Sequence, residues 1–132
     1  MGKTILVLED EQPLLAVIRA KLESYGFSVV TARAVKQALN YLEDKVVVDA
    51  IWLDHYLLGK ENGLDFVTRL KQDGGKWKQI PIFVVSNTGG PDKVRSYLRL
   101  GINKYYTKVD YRLDQIVTDI KEFLGKENER KN

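Results

Sequence analysis

The sequence contains no cysteine. That excludes disulfides and thiolate metal sites and leaves the redox compartment open. No apolar run approaches the ~20 residues that a membrane-spanning helix requires. The opening stretch, MGKTILVLEDE, has no basic region followed by a long apolar one, so no signal peptide is expected. Charge of one sign is not concentrated anywhere. Twenty-one Lys and Arg stand against 18 Asp and Glu, spread along the chain, for a net charge of +3. Without a basic stripe, no nucleic-acid or membrane partner is expected, and a cytoplasmic location is. No linker, internal repeat or low-complexity tract divides the 132 residues, which fit one domain. The expected division is a domain over residues 1–124 and a short polar tail over 125–132, where GKENERKN mixes both signs.

A 44% hydrophobic content is enough for a core, and 30% charged residues dress its surface. The apolar residues follow two alternating periods. Short runs rich in β-branched or aromatic side chains occur at Ile5–Leu8, Phe27–Val30, Ala50–Leu53 and Ile82–Val85, with a more polar one at Tyr105–Thr107. Their length and composition predict strands. Between them lie helix-spaced stripes: Leu14, Ile18 and Leu22; Val35, Ala38, Leu39 and Leu42; Phe66, Val67 and Leu70; Val94, Tyr97 and Leu98; and Leu113, Ile116, Val117, Ile120, Phe123 and Leu124. Pro13 and Pro91 fall where a first helical turn accepts proline, and Gly26 and Gly101 where a helix end favours glycine. The stretch DGGKW, Asp73–Trp77, reads as a turn.

Five strands alternating with five helices predict an α/β fold: a parallel five-stranded sheet covered on both faces, a three-layer (βα)5 sandwich. The two weakest runs, around Ser28 and at Tyr105–Thr107, suit the edges. The flavodoxin-like strand order 2-1-3-4-5 puts them there. In such a sheet, ligands bind beyond the carboxyl ends of the strands, at the switch point in strand order.

The strand ends carry Glu9, Asp10 and Glu11 after the first strand, Asp54 after the third, Ser86 after the fourth and Lys108 after the fifth. Carboxylates brought together repel unless a counter-charge joins them. A hard divalent cation such as Mg2+ meets that need with oxygen ligands. Cation and lysine together would receive a dianion such as a phosphoryl group, and an aspartate can attack it to form an acyl phosphate. Singly, each residue has a plainer reading. Asp10 and Glu11 serve as helix caps, Ser86 as a turn residue and Lys108 as a solvated surface lysine. The four strand ends together favour the site. GKT at Gly2–Thr4 lacks the upstream glycine of a phosphate-binding loop and precedes a strand, so it is set aside.

The motifs ILVLEDE (Ile5–Glu11), DAIWLDHYLLGKENG (Asp49–Gly63), VVSN (Val84–Asn87) and GINKYYTK (Gly101–Lys108) resemble those of CheY-like receiver domains of two-component response regulators, over about residues 3–124. The resemblance implies that Asp54 is the phospho-acceptor. It implies that Asp10 and Asp54 bind Mg2+ directly, Glu9 through water, and Tyr56 through its backbone carbonyl. Lys108 would pair with the acceptor and then with a phosphoryl oxygen. Ser86 would bond to the phosphoryl group, and Tyr105 would be the aromatic switch that moves with Ser86. The donor would be a phosphohistidine of a histidine kinase or phosphotransfer protein. Output would pass to a downstream protein partner, or to a homodimer formed on phosphorylation, through the face of the fourth helix, fifth strand and fifth helix, containing Tyr97, Lys104 and Tyr105.

Four positions depart from the family pattern. Leu58 stands where proline is usual, the segment Asp54–Gly63 is one residue longer, Val109 replaces the proline after the lysine, and Asn87 replaces a small residue. With Val109 a cis peptide bond is not expected, since a non-proline cis bond costs ~3–4 kcal/mol. Tyr56, two residues past the acceptor, is expected to shield the acyl phosphate from water and slow its hydrolysis. His55, the one histidine, is expected to point to solvent. Trp52 shares strand parity with Asp54 and is expected in the core. The competing function is a pseudo-receiver, an interaction module read without phosphate. A small aspartyl phosphatase would need a second acid at position 56, where Tyr56 stands.

Overall fold

A computed structural model describes residues 2–72 and 75–131, the stretch 128–131 by its backbone alone. The chain runs β1 (Thr4–Leu8), α1 (Gln12–Ser24), β2 (Ser28–Ala32), α2 (Val35–Glu43), β3 (Ala50–Leu53), α3 (Gly63–Lys71), β4 (Ile82–Ser86), α4 (Pro91–Arg99), β5 (Lys104–Thr107) and α5 (Leu113–Lys131). All neighbouring strands pair in parallel, in the order β2-β1-β3-β4-β5. This is the flavodoxin-like arrangement expected from the sequence, with the two polar strands at the edges. No described helix is long and apolar enough to cross a membrane.

Strand alternation sorts the core into two halves. Ile5, Val7, Val29, Ala50, Trp52, Phe83, Val85 and Tyr106 face α1 and α5. Leu6, Leu8, Ala32, Ile51, Leu53, Ile82 and Val84 face α2, α3 and α4. Trp52 is fully buried, as expected. The strands buried on both faces, β1, β3 and β4, are the continuously apolar ones, and that is why they sit in the middle.

The helix boundaries follow local chemistry. Pro13 lies in the first turn of α1, and Pro91 is the first residue of α4. Gly26 has φ 95° just past α1, a conformation that costs glycine little. Asn62 and Asp65 form a reciprocal capping box at the start of α3.

β1, β4 and β5 each extend one residue beyond the expected run, to Thr4, Ser86 and Lys104, and three differences are larger. β2 begins at Ser28 and runs on to Ala32, because its ladder with β1 pairs all five residues from Thr4↔Ser28 to Leu8↔Ala32. α5 continues past Leu124 through Gly125 to Lys131. Leu98, on the fourth expected stripe, is half exposed while Tyr97 is buried, so α4 inserts one large side chain and not a row. Of the turn expected at Asp73–Trp77, Lys76 and Trp77 are in a turn, and Asp73 and Gly74 lie outside the described residues.

Candidate functional site

The site forms because the residue after a strand stays in the ladder for one more bond. The Glu9 N–H donates to the Ala32 carbonyl of β2 at 3.0 Å, the Asp54 N–H to the Leu8 carbonyl of β1 at 3.0 Å, and the Lys108 N–H to the Ser86 carbonyl of β4 at 2.9 Å. Main-chain bonds thus fix where three of the functional side chains leave the sheet. Ser86 is itself the last residue of β4.

The side chains converge. Lys108 Nζ donates to Glu9 Oε1 at 3.0 Å and to Asp54 Oδ2 at 3.3 Å. Glu9 and Asp54 are buried despite their charge. Asp54 Oδ1 accepts the His55 N–H at 2.7 Å, and Glu9 Oε2 accepts the Glu11 N–H at 3.1 Å. Asp10 completes an acidic trio: one carboxylate oxygen from each of Glu9, Asp10 and Asp54 lies within 4.8 Å of the others. Glu11 takes no part through its side chain. It is the N-cap residue of α1, without a side-chain cap bond.

Crowding acids in a buried place has an electrostatic cost. Burial, with the charge of Asp54 added, raises the Glu9 pKa from 4.5 to about 7 against the pull of the Glu11 N–H and Lys108. Burial works to lower the Lys108 pKa, but Asp54 and Glu9 outweigh it and leave the ammonium above its ordinary value. Lys108 pairs with two of the three carboxylates, Glu9 and Asp54, so the set is short of positive charge. The Ser86 Oγ is buried without a hydrogen-bond partner among the described residues. A buried hydroxyl without a partner is costly unless a ligand supplies one. Oxygen-only donors and a charge deficit fit a hard divalent cation, and Mg2+ suits such a set.

The departures from the family pattern resolve as follows. The Leu58 N–H donates to the Arg33 carbonyl at 2.9 Å, and Leu58 forms an isolated parallel bridge with Ala34. Proline has no N–H for that bond. The peptide after Lys108 is trans, like every described peptide bond, and Val109 is exposed. Asn87 is exposed too.

Two expectations are corrected. His55 does not point to solvent: it is half-buried, and its Nδ1 lies 2.6 Å from the Tyr97 hydroxyl. Burial, then the charge of Lys93, lowers the His55 pKa, and burial raises that of Tyr97. Both shifts favour a neutral phenol beside a neutral imidazole, with the tautomer of His55 setting which of the two donates. Tyr97 is therefore fully buried and not part of an outer face. Gly63 leaves room for this contact: a Cβ there would stand 2.5 Å from the Tyr97 hydroxyl and 2.7 Å from the Asp54 carbonyl.

Tyr105 is half-buried, with its ring centroid 5.7 Å from that of Tyr97 and its hydroxyl donating to the Thr88 carbonyl. Tyr56 is exposed, and Lys93 of α4 lies 4.7 Å above its ring. The Lys93 Nζ also donates to the Tyr56 hydroxyl at 3.3 Å and to Thr88 Oγ1 at 2.6 Å.

Sequence reasoning missed Arg33, whose guanidinium donates twice to the Asp10 carbonyl, from Nε at 3.0 Å and Nη2 at 2.8 Å. A signal existed. Arg33 is the residue just past β2, the position that Glu9, Asp54 and Lys108 hold on their strands. Reading β2 as ending at Val30 hid it.

Comparison with known proteins agrees with this geometry. The family model described as "Response regulator receiver domain" matches residues 5–121. The chain is 34% identical over 108 residues to the phosphate regulon transcriptional regulatory protein PhoB of Pseudomonas aeruginosa, covering 82% of this chain and 46% of that protein. It therefore spans about half the length of that curated relative. The phosphorylated cyanobacterial phytochrome response regulator RcpA superposes with a TM-score of 0.80 at 30% identity, over 94% of each chain. A CheY-like receiver domain protein of Methanospirillum hungatei shares the fold with a TM-score of 0.85 at 18% identity, over 98% of this chain and 99% of that one.

Proposed function

The chain belongs to the response regulator receiver domain family, the phosphorylatable switch of two-component systems, and from that premise we propose how its own residues carry the switch. Asp54 takes a phosphoryl group from a phosphohistidine of a histidine kinase or phosphotransfer protein. The observation that carries this reading is the Lys108 ammonium held between buried Asp54 and buried Glu9, with Asp10 beside them.

An Asp54 carboxylate oxygen attacks phosphorus in line, and the bond from phosphorus to the imidazole nitrogen of the donor breaks as the acyl phosphate forms. Asp10, Asp54 and the Tyr56 carbonyl would hold Mg2+ directly, and Glu9 through water. Bound there, Mg2+ supplies neutralising charge for the phosphoryl oxygens. Lys108 exchanges its Asp54 contact for a phosphoryl oxygen. The unpartnered Ser86 Oγ donates to another, and Tyr105 follows Ser86.

Output then leaves through the face of α4, β5 and α5, toward a cytoplasmic protein partner or a second copy of the chain. Lys104 marks that face. It pairs with Asp119 at 3.3 Å and lies over the rings of Tyr106 and Tyr111, at 4.9 and 5.6 Å.

The test is incubation with Mg2+ and acetyl phosphate or phosphoramidate, followed by intact mass. A phosphoryl adduct is expected in the wild type and none in Asp54→Ala. A wild type that takes no adduct and binds no Mg2+ is instead a pseudo-receiver, an interaction module whose shape is read without phosphate.

A further inference from the structure

Arg33 touches the acidic trio only through the backbone of Asp10, and three sets of bonds pin it. Its N–H donates to Gln37 Oε1 in the first turn of α2 at 2.7 Å. Its carbonyl accepts the Leu58 N–H at 2.9 Å. Its guanidinium spends two donors, at 3.0 and 2.8 Å, on the carbonyl of Asp10. A forked pair of bonds to one acceptor fixes direction as well as distance.

We infer that Arg33 is a positioning residue for the cation, holding the Asp10 backbone so that its carboxylate stays in the acidic trio and tying that segment to the loop after Asp54. The inference rests on the receiver reading above and adds a residue to it. The bond that Arg33 accepts comes from Leu58, where the family usually has proline. Clamp and departure are thus two ends of one link: Asp10 carbonyl, Arg33 side chain, Arg33 carbonyl, Leu58 N–H.

Charge and geometry pull in opposite directions here, which makes the test decisive. If Arg33 acted only through its positive charge, it would oppose a cation, and Arg33→Ala would tighten Mg2+ binding. If it positions Asp10, Arg33→Ala weakens Mg2+ binding. Partners behind a metal ligand are worth about tenfold or more in affinity, and a loss of about tenfold is expected.

The experiment is calorimetric titration of the folded proteins with Mg2+. Circular dichroism checks the fold of each variant, and Arg33→Lys serves as a second variant with the charge kept and the fork lost. Arg33→Lys should fall between wild type and Arg33→Ala. Leu58→Pro should weaken binding in the same direction and add little on top of Arg33→Ala, since both cut one link. The rate of phosphoryl uptake from acetyl phosphate should be slowed in Arg33→Ala at low Mg2+ and return to wild type at saturating Mg2+. An Arg33→Ala protein with unchanged or tighter Mg2+ binding, or with a defect that saturating Mg2+ leaves in place, overturns the inference and leaves the receiver reading standing. A wild type that binds no Mg2+ overturns both.

Discussion

Glu9 has no measurable exposure, and its one counter-charge among the described residues is a lysine shared with Asp54. Its raised pKa is a statement about stability as well as chemistry. Unfolded, the group titrates near its ordinary value of 4.5; folded, it holds its proton up to about 7. Between those values the native state binds more protons than the unfolded one. This group's contribution is therefore fully present below 4.5 and is lost as pH rises through about 7. Urea unfolding of the metal-free protein across that range should show stability falling with rising pH, and Glu9→Gln should flatten the slope. His55, with an ordinary value of 6.5 lowered by burial, contributes a slope of the opposite sign, so the difference between wild type and Glu9→Gln is the readout, and an identical slope in the two overturns the expectation. Cation binding runs the other way. An acid that keeps its proton cannot serve the cation, so Mg2+ affinity should rise with pH, by up to about tenfold per pH unit below the titration point, with proton release visible by calorimetry.

At the scale of elements, the loop after β3 is fastened from both sides. Toward β2 it carries the Leu58 N–H bond to the Arg33 carbonyl and the bridge that pairs Leu58 with Ala34. Toward α4 it carries two contacts that begin one residue apart: His55 reaches buried Tyr97, and Tyr56 lies under Lys93. Helix α4 thus holds the two residues that follow the acceptor. Lys93 also grips Thr88 in the loop after β4, so it ties the loops on both sides of the site together. A tyrosine ring fastened to α4 two residues past a buried acceptor would limit the approach of water to the acyl phosphate formed there. We expect Tyr56→Asn to hydrolyse its phosphoryl group faster. A shield worth about 1 kcal/mol corresponds to roughly fivefold in rate. Lys93→Met, which frees the ring without removing it, should act in the same direction with a smaller effect. The check is the decay of the mass adduct after the phosphodonor is removed. An unchanged or slower decay in Tyr56→Asn ends the idea.

Across the whole molecule, what was legible in the sequence is what depends on period and on strand ends. Alternation within each strand and the helix-spaced stripes determine the three layers, and one residue past three strands lay Glu9, Asp54 and Lys108. What was hidden depends on ladder length or on tertiary contact. Arg33 needs the true end of β2, which only pairing with β1 determines. The His55–Tyr97 bond joins residues that share no local pattern, through the space left by Gly63. The same architecture gathers the ends of β1 and β3, and the lysine after β5, onto one rim, so the molecule carries a standing repulsion there for the sake of its chemistry. Removing one acid should relieve it. Asp54→Asn keeps an oxygen for the His55 N–H and lowers the charge opposed by Lys108, and should stabilise the metal-free fold by about 0.5–2 kcal/mol, the size of a common stabilising substitution. Mg2+ should then close the gap, because a ligand bound only by the folded state stabilises it in proportion to its occupancy, about 2.7 kcal/mol at a hundredfold excess over Kd. Thermal melts of both proteins with and without Mg2+ decide the matter. A less stable metal-free Asp54→Asn protein would show that the Lys108–Asp54 pair outweighs the repulsion between Asp54 and Glu9. The expected pattern is a more stable variant that Mg2+ stabilises less than it does the wild type, which would make the acceptor a residue kept for phosphoryl transfer at the expense of the resting fold.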